Sequence, residues 1–304
     1  MLSDSRLAEL VRLHAPPSVA RAAKRAGARL RHASRLRAAR QAYARHGERY
    51  PHPLLFIAGL PKSGTTWLER MLSSYEGFEL VLPVSITRHE MRAGRSHDFD
   101  LPDDFFAELA GALAVAKTHV PGSPANVALL RRHQLPHVVV QRDLRDVAVS
   151  HYFYVRSTSW HPEHPHYRGL SPREGLRVFL RRDLPSFAAW VRSWQENADT
   201  GLTRVIRYED MLAEPVATMT AVARHYGLDS SEPTVRRVVE RHSFSRLSGG
   251  RGRGDDEGAG TSFFRRGVAG DWRNHFDSAL RADYQDALGG LLEELGYPAW
   301  ENEG

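Results

Sequence analysis

The chain contains no cysteine. That excludes a disulfide framework, a thiol nucleophile and a thiolate metal site. No apolar run approaches the ~18–20 residues that a membrane-crossing helix needs, and the N-terminus lacks the apolar core of a secretion signal. A cytoplasmic protein is the expectation. Lysine is scarce: Lys24, Lys62 and Lys117 are the only three, so 39 of the 42 basic residues are arginine. Lysine is a compact point charge and arginine a planar fork, so the two lysines beyond the N-terminal arm mark positions that favour the smaller ammonium. Acidic residues are scarce at the start. Residues 1–50 hold 12 Lys and Arg against 3 Asp and Glu, and the remaining 254 hold 30 against 33. The basic balance thus belongs to the first fifth of the chain, and a nucleic-acid-coating protein is not expected.

The 304 residues are 41% hydrophobic and 26% charged, as in a soluble globular protein. Residues 1–50 read as a basic helical extension and 51–304 as the main domain. Leu7, Leu10, Val11 and Leu13 suit one face of a short helix; beyond Pro16 and Pro17 a second helix is expected from Val19 to Arg45. The arm is either a solvated helix or a contact for an anionic surface: lipid headgroups, a partner protein or an acidic substrate. Its apolar face is too thin for stable membrane anchoring.

The most informative stretch is LLFIAGLPKSGTTWLERMLSS, residues 54–74. Leu54 to Ala58 is a short apolar run suited to a buried strand. Gly59, Pro61 and Gly64 punctuate a tight loop, and from Thr65 the pattern is helical, with Trp67, Leu68, Met71 and Leu72 on one face. A strand, a glycine loop and a helix N-terminus together present free N–H groups and a partial positive charge to an anion. Lys62, Ser63, Thr65 and Thr66 add donors. A nucleoside-triphosphatase loop needs G-x-x-x-x-G-K-[ST]. Here Thr65 stands at the lysine position and the lysine precedes Gly64 by two residues. An ordinary strand–turn–helix is the competing reading of this stretch alone.

Other elements follow in order. Residues 80–102 lack a clean period and read as a long loop. A helix is expected from Asp103 or Asp104 to Leu109, and a strand over Leu113 to Lys117. Ser123 and Pro124 open a helix to about His133. HVVVQ, residues 137–141, is a β-branched strand, and Asp143 caps a helix to about Arg156. HPEHPHYRGLSP reads as irregular. One long amphipathic pattern, with Phe179, Phe187, Trp190 and Trp194, covers about 172–198. Thr203 to Arg207 is a strand, and helices are expected at 215–226, 232–241 and 277–295. Strands alternating with helices imply an α/β fold: a central parallel sheet with helices on both faces. Gly249 to Gly260 is too glycine-rich to order alone.

Three more strings carry chemistry. In KTHVP, residues 117–121, Lys117 and His119 share a face if the strand continues, at the carboxyl end where open α/β sheets collect their sites; a lone histidine is otherwise more often structural. In QRDLRDVAVSHY, Arg142 ends a strand and can fork onto a phosphate, while Ser150 lies two helical turns later. In FFRRGVAGDW, Arg265, Arg266 and Gly267 set two guanidiniums beside a flexible backbone.

PKSGTTW resembles the 5′-phosphosulfate loop of the cytosolic sulfotransferase family, whose donor is 3′-phosphoadenosine 5′-phosphosulfate (PAPS). KTHVP is similar to the family's KTH-x-P, QRDLRDVAVSHY to its 3′-phosphate segment and FFRRGVAGDW to its R-K-G-x-x-G-x-W, with Arg266 for the usual lysine. RYED at 207–210 and HSF at 242–244 are similar to its Y-E-D and T-S-F, with His242 for threonine. These matches run in the family's order over nearly all of 51–304 and none of the arm. The resemblance implies a P-loop-like three-layer fold and a PAPS-dependent sulfotransferase. It implies that His119 is the general base, that Lys62 steadies the leaving phosphate, that Lys117 holds sulfuryl oxygens and that Ser150 restrains Lys62. It implies that Lys62, Ser63, Gly64, Thr65 and Thr66 cradle the 5′-phosphosulfate. The 3′-phosphate falls to Arg142, Ser150, Arg265, Arg266 and Gly267, and the adenine to Trp67, Tyr208 and Phe244. No metal is expected, and Gly249–Gly260 would act as a lid. The acceptor is a small molecule, glycan or lipid bearing a hydroxyl or amine, contacted from 80–95, 119–125 and 152–170, where Phe153, Tyr154 and Trp160 lie. Glu90 is a second candidate base. The rival readings are a P-loop small-molecule kinase, which requires a Walker lysine and a Mg²⁺-binding Asp, and a protein that binds the product nucleotide (PAP) without turnover. Oligomeric state is left open by the sequence.

Overall fold

Five short aliphatic and β-branched runs build the frame. The computed structural model describes residues 16–86, 89, 97–250, 252–254, 265–298 and 300. The elements are α1 (Pro17–His46), β1 (Leu54–Gly59), α2 (Thr65–Leu72), β2 (Glu79–Leu80), α3 (Phe105–Glu108), β3 (Ala114–Thr118), α4 (Pro124–Arg132), β4 (His137–Gln141), α5 (Leu144–Arg156), α6 (His164–Tyr167) and α7 (Pro172–Arg182). Then come α8 (Leu184–Asn197), β5 (Thr203–Arg207), α9 (Tyr208–Ala213), α10 (Pro215–His225), α11 (Glu232–Arg241), α12 (Phe244–Leu247), α13 (Ser278–Leu288) and α14 (Leu291–Glu294). They fall into two compact units. A sheet unit holds residues 26–142 and 190–250, and a helical unit holds the start of α1, residues 143–189 and the described residues after 250.

In the sheet unit the strand order is β2-β3-β1-β4-β5, and every pairing is parallel. Side chains alternate along each strand. Leu55, Ile57, Val115, Val138, Val140 and Ile206 therefore share one face, packed with Trp67, Leu68, Met71 and Leu72 of α2 and with Met211, Met219 and Val222 of α9 and α10. On the opposite face, Phe56 meets Phe105 edge-on at 5.6 Å, and His137 meets Trp194 at 5.5 Å. With both faces covered, β1 is buried at every position, which is why its sequence is continuously apolar instead of alternating. Each such side chain stabilises the fold by roughly 1.5–3 kcal/mol. This is the three-layer arrangement expected from the alternation of strands and helices. The chain leaves β1 for one edge, fills in β3, then crosses to β4 on the other side of β1. Sites gather at the carboxyl ends of strands where such an order reverses, and the residues after Gly59, Thr118, Gln141 and Arg207 lie there.

In the helical unit, Tyr152 and Val155 of α5 pack with Tyr167 of α6. Tyr284 of α13 donates its hydroxyl to the Leu176 carbonyl (2.8 Å). Arg145 is fully buried. It forks onto the Asp143 carboxylate (2.8 Å) and donates to the Pro298 carbonyl (3.0 Å). Its guanidinium lies over the rings of Trp272 (4.1 Å) and Trp300 (4.7 Å).

Several expected elements differ in detail. The single helix over 172–198 is two, α7 and α8. Pro185 has no N–H to bond back into α7, so the helix restarts with proline in its first turn. The helix over 277–295 breaks between α13 and α14 at Gly289, whose φ is +55°. The loops expected at 80–102 and 161–172 contain residues 84–86 in helical form and α6, while α9 and α12 were not foreseen. The short helix over Leu7 to Leu13, Glu90 and most of Gly249–Gly260 lie outside the described residues. Among the described residues, no helix is long and apolar enough to cross a membrane.

Candidate active site

The loop from Leu60 to Gly64 leaves β1 and enters α2. Lys62 has φ +69° and Gly64 φ +83°. A non-glycine residue in this region is costly and persists where its surroundings enforce it. Around Lys62 those surroundings are visible. The Leu60 N–H donates to the Val140 carbonyl (2.9 Å). The buried Ser63 hydroxyl sits between the Leu60 (2.6 Å) and Val140 (3.1 Å) carbonyls. The Ser63 hydroxyl, expected as a donor to oxyanions, here ties the loop to β4. Gly64 is required twice over, because its φ is left-handed and a Cβ there would lie 2.6 Å from the Tyr208 ring. No side chain caps α2; the Trp67 (2.9 Å) and Leu68 (3.2 Å) N–H groups bond back to the Gly64 carbonyl, and those of Thr65 and Thr66 stand before them at the positive end of the helix dipole. Arg142 stacks on the Tyr208 ring (4.2 Å) and donates to the Lys62 carbonyl (3.3 Å). The loop, Arg142 and Tyr208 thus form one cluster, and Thr65, Thr66 and Lys62 lie in it by sequence. An anion with an attached planar ring fits this set of donors.

His119 follows β3 directly and is half-buried. Its Nδ1 lies 2.5 Å from the Gly59 carbonyl. A carbonyl only accepts, so Nδ1 carries the proton and Nε2 keeps its lone pair. Burial first, then the charge of Lys117, with smaller contributions from His97 and Lys62, holds the His119 pKa well below the usual 6.5, the Gly59 contact partly opposing them. The ring is therefore neutral at neutral pH, the state a general base needs. The His119 ring thus lies within electrostatic reach of Lys117 and, more weakly, of Lys62. Burial also raises the pKa of Glu69 on α2, with Lys117 pulling the other way.

Trp67 is nearly buried and donates its indole N–H to the His242 carbonyl (2.8 Å), while the His242 ring meets the Ser74 hydroxyl at 2.5 Å. His242, in place of the family's threonine, thereby joins the chain before α12 to α2 and sets Phe244, two residues on, in the same part of the unit as Trp67.

The remaining expected residues lie in the helical unit. Ser150 is part-buried on α5. One turn earlier on that helix, the Asp146 carboxylate accepts the N–H groups of Gly270 (2.8 Å) and Trp272 (2.9 Å). One turn later, Phe153 lies under the Arg265 guanidinium (4.7 Å). Arg265 and Arg266 both pair with the buried Asp271, whose carboxyl is held far below the usual range. Gly267 has φ +65°. The unit thus gathers Ser150, Arg265 and Arg266 beside one helix.

Sequence reasoning missed His97, Glu69, Asp146, Asp271, and the Trp190–Ser193–Trp194 face of α8. The tryptophans read as a core stripe, and their spacing carries no sign of what their N–H groups meet.

The family model of the sulfotransferase domain matches residues 52–296, and the chain belongs to that family. It is 26% identical over 263 residues to sulfotransferase 1E1 of Cavia porcellus, covering 79% of this chain and 85% of that protein. To sulfotransferase 1A1 of Canis lupus familiaris it is 27% identical over 258 residues, covering 78% and 83%. Among solved structures, it is similar to mouse sulfotransferase SULT7A1 complexed with PAP (TM-score 0.59, 19% identity, 85% of this chain and 94% of that one). It is also similar to a retinol dehydratase in complex with androsterone and PAP (TM-score 0.53, 17% identity, 87% and 88%).

Proposed function

We propose that this sulfotransferase takes its sulfuryl group from PAPS and transfers it to a hydroxyl or amine of a small-molecule, glycan or lipid acceptor. The single observation that supports this reading is His119, held in its Nδ1–H tautomer by the Gly59 carbonyl at the start of an uncapped, glycine-built loop and within electrostatic reach of Lys117 and Lys62. PAPS supplies an activated sulfuryl group when bound. Lys62, Ser63, Gly64, Thr65 and Thr66 hold its 5′ end, Ser63 by shaping the loop. Arg142, Ser150, Arg265, Arg266 and Gly267 hold its 3′-phosphate, and Trp67, Tyr208 and Phe244 hold its adenine. The Nε2 lone pair of His119 accepts the acceptor's proton, a contribution of about 10²–10⁴ in rate. Lys62 offsets the negative charge that develops on the leaving phosphate, and Lys117 orients the sulfuryl oxygens. Lysine and the helix dipole supply positive charge without a metal. Ser150 restrains Lys62 until the acceptor arrives.

The reading extends to surroundings. The nine cations and no acids of Pro17–His46 suit a peripheral contact with an anionic surface, and the enzyme works in the cytoplasm. Residues 1–50 form an extension to a catalytic domain at 51–304.

The test is a screen of hydroxylated acceptors with ³⁵S-labelled PAPS, repeated without residues 1–50. His119→Ala and Lys62→Ala should each abolish turnover, with PAP affinity retained in the former. Calorimetry should show tight PAP and weak ATP. The reverse order favours a kinase, and tight PAP with no turnover on any acceptor favours a binding protein.

A further inference from the structure

His119 stands at the end of a ladder. β3 stops at Thr118, so the carbonyls of His119 and Val120 have no strand to donate to them, yet Val120 is fully buried. Buried carbonyls demand partners. They find them on α8. The Trp190 indole N–H lies 2.7 Å from the His119 carbonyl and 2.9 Å from that of Val120. The Trp194 indole N–H reaches the Val120 carbonyl at 3.2 Å. The Gly122 N–H donates to the Ser193 hydroxyl (2.9 Å), which donates in turn to the Trp190 carbonyl (2.6 Å). Asn126, also buried, donates to the Pro121 carbonyl (2.9 Å). Gly122 is pressed so close that a Cβ there would lie 2.7 Å from the Trp194 ring. Each backbone carbonyl from residue 119 to 121 is thus held by a side chain, and the indole N–H, a donor with no acceptor role, is an unambiguous grip.

We propose that Trp190 and Ser193 are positioning residues that fix the backbone of residues 119–122 and so aim the Nε2 lone pair of His119. The inference rests on the reading of His119 as the base. Two side chains packed in a core do not by themselves need to point their polar atoms at this one loop. Here the N–H of Trp190 and the hydroxyl of Ser193 serve the catalytic loop and their own helix. Trp194 is the lesser partner, since its bond is longer and its acceptor is already shared with Trp190. With the carbonyl of His119 held on one side and its Nδ1 held by Gly59 on the other, the ring has little freedom. A displacement near 1 Å at such a centre costs about a hundredfold in rate.

The test uses Trp190→Phe, which keeps an aromatic ring and removes the N–H. The full-length protein, ¹⁵N-labelled at histidine and saturated with PAP, is titrated by NMR, with the His119 signal assigned by its loss in His119→Ala. In the parent, His119 should show the Nδ1–H tautomer and titrate well below 6.5. In Trp190→Phe the tautomers should mix and the titration should move up by about one pH unit as water enters. The charged and titratable groups felt at the ring, Lys117, Lys62 and His97, are unaltered, so a shift reports position. With an acceptor found in the screen, kcat should fall about tenfold to hundredfold while PAP affinity stays within about twofold. A merely structural loss would lower the amount of active enzyme and leave the titration in place.

An unchanged tautomer, titration and kcat in Trp190→Phe would overturn the proposal. If that variant no longer binds PAP, Ser193→Ala decides: it should shift the same titration, and a parental profile overturns the proposal equally. Failure of the base assignment is separate, since it shows as turnover surviving in His119→Ala, whatever the tryptophan does.

Discussion

Gly59 joins β1, the loop and His119, and a methyl group placed there tests all three. Its backbone is not in the left-handed region, so alanine fits the dihedral angles. Space is the obstacle. A Cβ at Gly59 would lie 1.9 Å from Thr65 Cγ2, 3.3 Å from Thr65 Cβ and 3.6 Å from Val140 Cβ. Thr65 is the first residue of α2 and nearly buried, so neither side yields cheaply. Overpacking of this kind costs about 1–3 kcal/mol, and the upper half of that range is expected for Gly59→Ala. The obstructing atom is a single methyl carbon. Thr65→Ser removes it, keeps the hydroxyl, and leaves a 3.3 Å contact that relaxes by a few tenths of an ångström. Alone, Thr65→Ser should cost about 1 kcal/mol for the lost buried methyl. Combined with Gly59→Ala it should be compensating, with a coupling of about 1–3 kcal/mol. Urea unfolding of the four proteins measures the cycle, and PAP calorimetry reports whether the loop recovers. Because the Gly59 carbonyl also holds His119, Gly59→Ala should depress turnover further than its loss of stability explains. A double variant no more stable than the sum of its parts would refute the reasoning.

Other outcomes follow from particular contacts. His137 donates from Nδ1 to the Leu135 carbonyl (3.0 Å), accepts the Thr203 hydroxyl at Nε2 (2.8 Å) and is pushed by burial down to a pKa of about 4. Between pH 6.5 and 4 the unfolded chain binds the extra proton, so this residue's contribution is complete above 6.5 and fades as pH falls, by about 3 kcal/mol in all. Urea midpoints measured over that range should drop, less steeply in His137→Asn, and parallel slopes would contradict the assignment. Arg145→Ala strands the Asp143 carboxylate and should cost about 3–5 kcal/mol by the same assay; a loss below about 1 kcal/mol would show that the buried pair is dispensable. Ser171→Ala removes one half of the capping box at the start of α7 and should cost about 1 kcal/mol without altering PAP affinity.

Much of the fold is legible in the chain because its determinants are local. The β1 run is apolar throughout, and β4 sets three valines between His137 and Gln141, since both faces of the sheet are covered; Ser123 and Asp143 mark the helix starts they cap. The glycine at position 64 and the lysine at 62 announce an anion loop, because few other residues fit that backbone and that charge. His119 stands out among sixteen histidines through the string around it. Local pattern misjudged the breaks at Pro185 and Gly289, where the apolar period runs on but the backbone cannot.

Spacing along the chain determined which residues carry positive charge and where the strand–loop–helix junction falls, since propensity, patterning and turn chemistry act over a few positions. Tertiary structure alone decided which way each group faces. Ser63 turns its hydroxyl inward because the Val140 carbonyl lies across the sheet, 77 residues away. His119 takes one tautomer because Gly59 ends the neighbouring strand. Trp190 grips residues 119 and 120 from 70 positions downstream, since hydrogen bonds and burial depend on proximity in space, which parallel strand pairing creates between residues far apart in sequence.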